Sequence, residues 1–297
     1  MKKGFVLFLA LFPLLFNACL DSGDEDTLDL KGPIIGSVDD MQTIMPSYFL
    51  EVGTKVFSIP LAFQVEDETG ISEITIESHS GFDGHTHGRK ANSNNFVLFG
   101  YSHTIRQQDL EDPRLFQSEV ADDLRIYLDD RNVLIPNNGL ILAGPYHFSI
   151  KATDTEGNET SYADNSTYHT TLYIHREYAP LIHVDAIDRT TGTVEGSVRR
   201  NSDHEFSSDI TFLWAYISRP DFGNPAQEGE IRKEWVWGES NWPHQFRGDT
   251  GEGLANPQNI DLAGLLAGEE AVRQMGDTET LTIWAEDANG NISVRSF

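Results

Sequence analysis

Three histidines fall within nine residues in the segment His79-Ser80-Gly81-Phe82-Asp83-Gly84-His85-Thr86-His87-Gly88. In an extended backbone, residues two apart project to the same side with Cβ atoms roughly 6–7 Å apart. His85 and His87 can therefore offer two imidazoles to one cation, at the Zn–N distance of about 2.0–2.1 Å. Gly81, Gly84 and Gly88 let the loop fold back toward His79. A fourth ligand has to come from elsewhere. His147 is the candidate, because in Tyr146-His147-Phe148 the two aromatics share the inward face and leave His147 outward, as His79 is. With no thiolate or methionine close by, these ligands suit Zn²⁺, Cu²⁺ or Ni²⁺ better than Cu⁺. A polar, glycine-rich loop carrying surface histidines is the plainer reading of the same residues.

Cys19 is the second reactive position. Lys2 and Lys3 precede an apolar run from Phe5 to Phe16, followed by Asn17-Ala18-Cys19. A short positive region, an apolar core of about a dozen residues and a small residue before the cut make a secretory signal rather than a membrane span. Cleavage before the single cysteine resembles the bacterial lipoprotein signal, in which that thiol is acylated. Phe16 and Asn17 depart from its commonest form, and an ordinary signal with an incidental cysteine is the other reading. A lone secreted cysteine has no disulfide partner, so acylation also explains its presence. Residues 1–18 are thus read as a lipoprotein signal peptide and 19–30, rich in Asp and Glu, as a disordered tether. The acidic stretch Asp21 to Asp26 looks like an export signal to the outer face of the outer membrane. A plain linker, with the protein facing the periplasm, is the alternative.

Removing Lys2 and Lys3 with the signal takes the formal charge from -26 to -28. Such a surface repels nucleic acid and anionic lipid but attracts cations. The expected partners are the membrane, through the lipid, and an outer-membrane receptor or surface complex. Enzyme chemistry finds no support: there is no Gly-x-Ser-x-Gly elbow, phosphate-cradling glycine loop or His-Glu-x-x-His helix.

The elements that must position these residues follow from a repeat. Residues 148–160 align without gaps with residues 281–293. In each, alternate apolar residues (Phe148, Ile150, Ala152; Leu281, Ile283, Ala285) give the period of a half-buried strand. Each then enters Asp-x-x-Gly-Asn, a turn in which Gly takes positive φ and Asp bonds nearby backbone. An occasional Ca²⁺ role for such turns is weighed against the structural one, which has the better case with so few carboxylates. The predicted fold is all-β: two tandem immunoglobulin-like β-sandwiches, residues 31–178 with the His-rich loop and residues 179–297. Pro60 should place the strand around Phe57 to Val65 at an edge or bulge. Helices are expected within 110–128 and 262–275.

All five tryptophans lie in the second copy. Trp235 and Trp237 share a face, with Trp242 just beyond; exposed, they would stack on sugar rings, whereas buried they would fill a core without disulfides. Trp214 is expected in the core, and Trp284, out of phase with its apolar neighbours, facing out or against an insertion. His169 and His175 are expected outward on the closing strand.

At residues 76–88, 144–148 and 154–158 the chain resembles an uncharacterised family of Bacteroidota lipoproteins, the domain of unknown function 4625. The resemblance covers the first copy and implies histidines at positions 79, 85, 87 and 147 behind a lipoprotein signal and an acidic tether. The second copy lacks the His-x-His. The expected function is a surface-anchored lipoprotein that holds a transition-metal ion, Zn or Cu, through His79, His85, His87 and His147. Two others stand beside it: a glycan-binding module using Trp235, Trp237 and Trp242, and an adhesion or assembly protein without a small ligand.

Overall fold

The computed structural model describes residues 31–38, 49–82, 96–98, 100–118, 124–132, 135, 139–219, 229–242 and 253–297. The first half contains β1 (Ile34–Gly36), β2 (Phe49–Val52), β3 (Ser58–Pro60), β4 (Phe63–Glu66), β5 (Ile71–Ser80) and β6 (Phe96–Val97). It continues through β7 (Tyr101–Arg106), β8 (Leu115–Ser118), β9 (Arg125–Tyr127), β10 (Leu140–Ile141), β11 (Gly144–Asp154) and β12 (Tyr168–Ile174). The second half contains β13 (Leu181–Asp188), β14 (Thr193–Arg199), β15 (Ile210–Ser218), β16 (Ile231–Gly238) and β17 (Asn259–Asp261). Short helices α1 (Leu262–Leu265) and α2 (Glu270–Arg273) precede β18 (Thr280–Asp287) and β19 (Ile292–Ser296). The predicted all-β class holds.

In the first half a five-stranded sheet, ordered β2-β12-β11-β5-β7, faces smaller pairings of β1-β4-β8, β3-β9 and β10-β6. The apolar phase of β5 and β11 turns Ile74, Ile76, Phe148 and Ile150 into the core. The long strand expected around Pro60 is divided: it ends there, Leu61 N donates to Leu124 O, and pairing resumes at Phe63. Proline has no N–H for a ladder, so the interruption falls where the chemistry requires it. Among the described residues of 110–128 no helix forms; they pair as β8 and β9. The helix expected within 262–275 appears as α1 and α2, separated by the positive-φ Gly268.

The two Asp-x-x-Gly-Asn turns share one hydrogen-bond pattern. Asp154 Oδ1 accepts from the backbone N–H of Glu156 and Asn158, and Asp287 Oδ1 from those of Asn289 and Asn291. Gly157 and Gly290 have φ of +89° and +88°. The carboxylates are occupied by donors within their own turns.

The second half has a three-stranded sheet, β13-β14-β17, and a four-stranded one, β16-β15-β18-β19. The four-stranded sheet is buried on both faces. Leu213, Ala215, Ile217, Leu281 and Ile283 form a core with Val194, Val198 and Ile260 of the three-stranded sheet. Phe212, Val236, Trp284, Ile292 and Val294 belong instead to the core of the first half. Ile292 N donates to Ala143 O at 2.8 Å, and Asn291 Oδ1 accepts from Ala143 N at 3.1 Å. Trp284 packs edge-on against Tyr173, with ring centroids 6.2 Å apart. The residues 31–178 and 179–297 that the repeat separates therefore share a core, and residues 31–297 form one compact unit.

Candidate functional site

β5 and β11 lie side by side in the interior of the five-stranded sheet, and their register sets His79 directly opposite His147. The imidazole centroids are 5.5 Å apart and the rings inclined by 48°. Both side chains are half-buried on the face away from Ile76, Tyr146 and Phe148. Thr171 of β12 opposes His147 from the other side. One residue pair further along, Glu77 opposes Ser149, which in turn opposes His169.

Just after β5, Gly81 N donates to Pro145 O at 3.0 Å. A Cβ on Gly81 would stand 3.2 Å from His147 Nε2 and from Pro145 O, so a side chain there would crowd the imidazole. Glycine thus lets the backbone leave the strand across the ring of His147. Phe82 then turns fully inward, against Tyr146 at 5.4 Å and Trp242 at 4.7 Å between ring centroids. Gly144 makes the space: at φ +144°, a Cβ would fall 2.5 Å from the Phe82 ring.

Of the four histidines expected to ligate, the fold brings His79 and His147 together. His85 and His87 lie outside the described residues, as do Cys19 and the whole of 1–30. Among the described residues there is no group of three or more His, Cys, Asp or Glu arranged for a metal ion. Two facing imidazoles are a chemical fit to half of a four-coordinate Zn²⁺ or Cu²⁺ shell.

The aromatic row expected in the second half is not a stacking platform. Trp242 is 3 % exposed and donates Nε1–H to Gly290 O, so it cannot join Trp235 and Trp237 on a surface. Those two are partly buried against the second core, opposite Ala215 and Leu213. Trp284, expected to face out or meet an insertion, is buried against the first half, and Trp214 shares that face. The strand phase was right, but a second buried face is invisible to it.

His175 also departs from expectation. β12 ends at Ile174, and His175 is 5 % exposed rather than outward. Burial, aided by Arg295 and Arg176, lowers its pKa to about 4. Asp287 behaves in the opposite sense. Its burial raises the pKa to about 6 despite hydrogen bonds from Asn291 and Asn289.

A further surface feature had no motif in the sequence beyond the adjacent Arg199 and Arg200. An open cleft of about 760 Å³ lies on the three-stranded sheet of the second half, lined by both arginines with His183, Ser197, Ser202, Gln258 and Asn259.

These features define an all-β protein of two joined sandwiches with a paired-histidine surface on the first. The chain belongs to the family described as domain of unknown function (DUF4625), which matches residues 19–167, half of its length. The match spans β5, β11 and the residues His85 and His87, and stops just before β12. No curated protein matches the chain. Among solved structures, it is similar to the fibronectin(III)-like modules of Clostridium thermocellum CbhA, at 11 % identity over 89 % of this chain and 91 % of that one, with a TM-score of 0.22. It is also similar to a tetra-tandem repeat from the extending region of a large adhesion protein, at 13 % identity over 90 % and 48 % of the two chains, TM-score 0.26. Dimeric latent PorU from Porphyromonas gingivalis shows 11 % identity over 92 % and 20 %, TM-score 0.25. At these scores the likenesses carry no functional argument. Among the described residues no helix is long and apolar enough to cross a membrane.

Proposed function

We propose that the protein is a non-enzymatic adhesion or assembly module, held at the outer membrane by lipid on Cys19 and displayed on the cell surface. The observation that supports this reading is the burial of the β16-β15-β18-β19 sheet on both faces. Domain pairs in one chain are commonly joined by modest, polar contacts and move against one another. Here Trp242, Trp284, Ile292 and Val294 share an apolar core with the first half. A joint of this kind keeps binding surfaces on both halves in a fixed relation, as a surface module needs when its partner engages both.

Attachment of cells that carry the wild-type protein, no protein, or the Cys19→Ser form tests this. Attachment to surfaces or recovery of a membrane complex should be lost in both altered strains. Retention of both in the strain without the protein overturns the reading.

One observation favours a second reading. The register pairing of His79 with His147 suits a single transition-metal ion, Zn or Cu, held by these two residues with His85 and His87. That ion would be stored, handed to an outer-membrane receptor, or used to fix the loop.

A further inference from the structure

Asp and Glu outnumber Lys and Arg by 47 to 21 in this chain, yet the cleft on the second half is lined by no carboxylate and by two arginines. Its floor follows from strand register. β14 turns Val194 and Val198 into the core and therefore Ser197 and Arg199 outward. Across the ladders His183 opposes Ser197 and Asn259 opposes Arg199, so these four side chains share one face. Gly196, at φ +152°, lets β13 come close, since a Cβ there would stand 2.2 Å from His183 O. Gln258 and Arg200 close one side, where Arg200 N donates to Gln258 O at 3.1 Å.

The charges on this floor are not equally committed. His183 Nε2 is 2.9 Å from Asp185, and Arg200 Nη1 is 3.1 Å from Asp209. Arg199 is exposed and has no carboxylate partner among the described residues. Arg200, tied to Asp209, adds its positive charge beside Arg199. A guanidinium recognises a planar carboxylate or other oxyanion through paired N–H donors. Around it stand hydroxyl and amide groups (Ser197, Gln258, Asn259), which suit ring hydroxyls better than apolar atoms.

From this we infer that the cleft is a ligand site for an acidic saccharide, with Arg199 taking its carboxylate and the amides and serine its hydroxyls. This deepens the adhesion reading by naming what the second half binds, and rests on it for its physiological role. The same oxyanion chemistry would also accept free sulfate or phosphate.

Titration calorimetry of residues 31–297 with glucuronate, glucose and inorganic sulfate separates the sources. Glucuronate should bind with a Kd at or below the low millimolar range, weaken as salt rises, and be favoured over both glucose and sulfate by about tenfold or more. Arg199→Ala and Gln258→Ala, both at exposed positions, should each weaken it several-fold with the melting temperature unchanged, and Arg199→Lys should recover part of the loss. Absence of glucuronate binding, equal binding of sulfate, or binding indifferent to Arg199→Ala overturns the inference. If glucuronate binds as expected while cells lacking the protein attach normally, the cleft stands and the adhesion reading falls.

Discussion

Phe82 and Trp242 meet across the two halves of the chain with ring centroids 4.7 Å apart, and both are almost fully buried. Phe82 is the last described residue before the histidine-bearing loop, so the origin of that loop is pinned by a side chain of the other sandwich. Trp242 is itself fixed by its Nε1–H bond to Gly290 O in the turn that reaches Ala143 through Asn291. Phe82, which precedes the segment carrying His85 and His87, therefore belongs to the inter-sandwich joint.

Trp242→Ala should cost about 3–5 kcal/mol, the range for removing a large buried aromatic. Gly144→Ala should cost a comparable amount, because positive φ and a 2.5 Å approach to Phe82 act together. Chemical denaturation monitored by near-ultraviolet dichroism would report both. A loss below about 1 kcal/mol for Trp242→Ala would show that the joint does not hold.

Residues 31–297 should unfold in a single cooperative transition. Separation at 178/179 would expose Trp284, Ile292 and Val294, which are buried against the first half. Either piece alone should then melt lower than the intact unit, and the second should associate. Calorimetry of the three proteins measures this, and two independent, unshifted transitions would count against a shared core.

Metal-free protein should take up about one Zn²⁺ or Cu²⁺ near neutral pH and melt higher when loaded, because the ion binds the folded state. His79→Ala and His147→Ala should each remove most of that gain, since their rings face one another at 5.5 Å. His85→Ala and His87→Ala should do the same if the loop completes the shell. His183→Ala, on the second half, should leave uptake unchanged. Ligation needs neutral imidazoles, so affinity should fall as pH drops through about 6.5. Equal losses from all five variants would indicate diffuse binding, and no uptake would dismiss the metal reading.

Two buried groups should tilt stability with pH in opposite directions. His175 has its pKa lowered to about 4, so its folded form refuses a proton that the unfolded chain accepts near 6.5. Its contribution is complete above pH 6.5 and is lost as pH falls toward 4, by roughly 3 kcal/mol at 1.36 kcal/mol per unit. Asp287 has its pKa raised to about 6, so it holds a proton the unfolded chain releases near 4. Its contribution is present below pH 4 and is lost as pH rises through 6, by a similar amount. The two nearly cancel between pH 4 and 6. His175→Asn should therefore make the protein gain stability on acidification across that window relative to wild type, and Asp287→Asn should make it lose more. Melting temperatures from pH 4 to 8 measure the slopes; unaltered slopes in both variants would refute the assignment.

Cys19→Ser should release the protein from the membrane fraction and abolish fatty-acid incorporation. Neutral replacements of Asp21, Asp24, Glu25 and Asp26 should keep acylation and reduce protease accessibility on whole cells. A serine form that stays with the membrane would remove the anchor reading.

The sequence by itself determined the elements whose cause is local. Alternation placed Ile74, Ile76, Phe148 and Ile150 on one face and His79 and His147 on the other, because side chains along a strand have a period of two. The Asp-x-x-Gly-Asn spacing set both turns, since each carboxylate bonds backbone only two and four residues away. The break at Pro60 followed from one missing N–H. The tertiary structure decided whatever depends on two distant segments meeting. The opposition of His79 to His147 needed the β5–β11 register, which no local pattern encodes. Trp242 and Trp284 are buried because the first sandwich covers a face of the second that the local pattern would leave to water. The cleft at Arg199 gathers β13, β14 and the approach to β17 from across almost 80 residues of chain, so only packing brings its charges together.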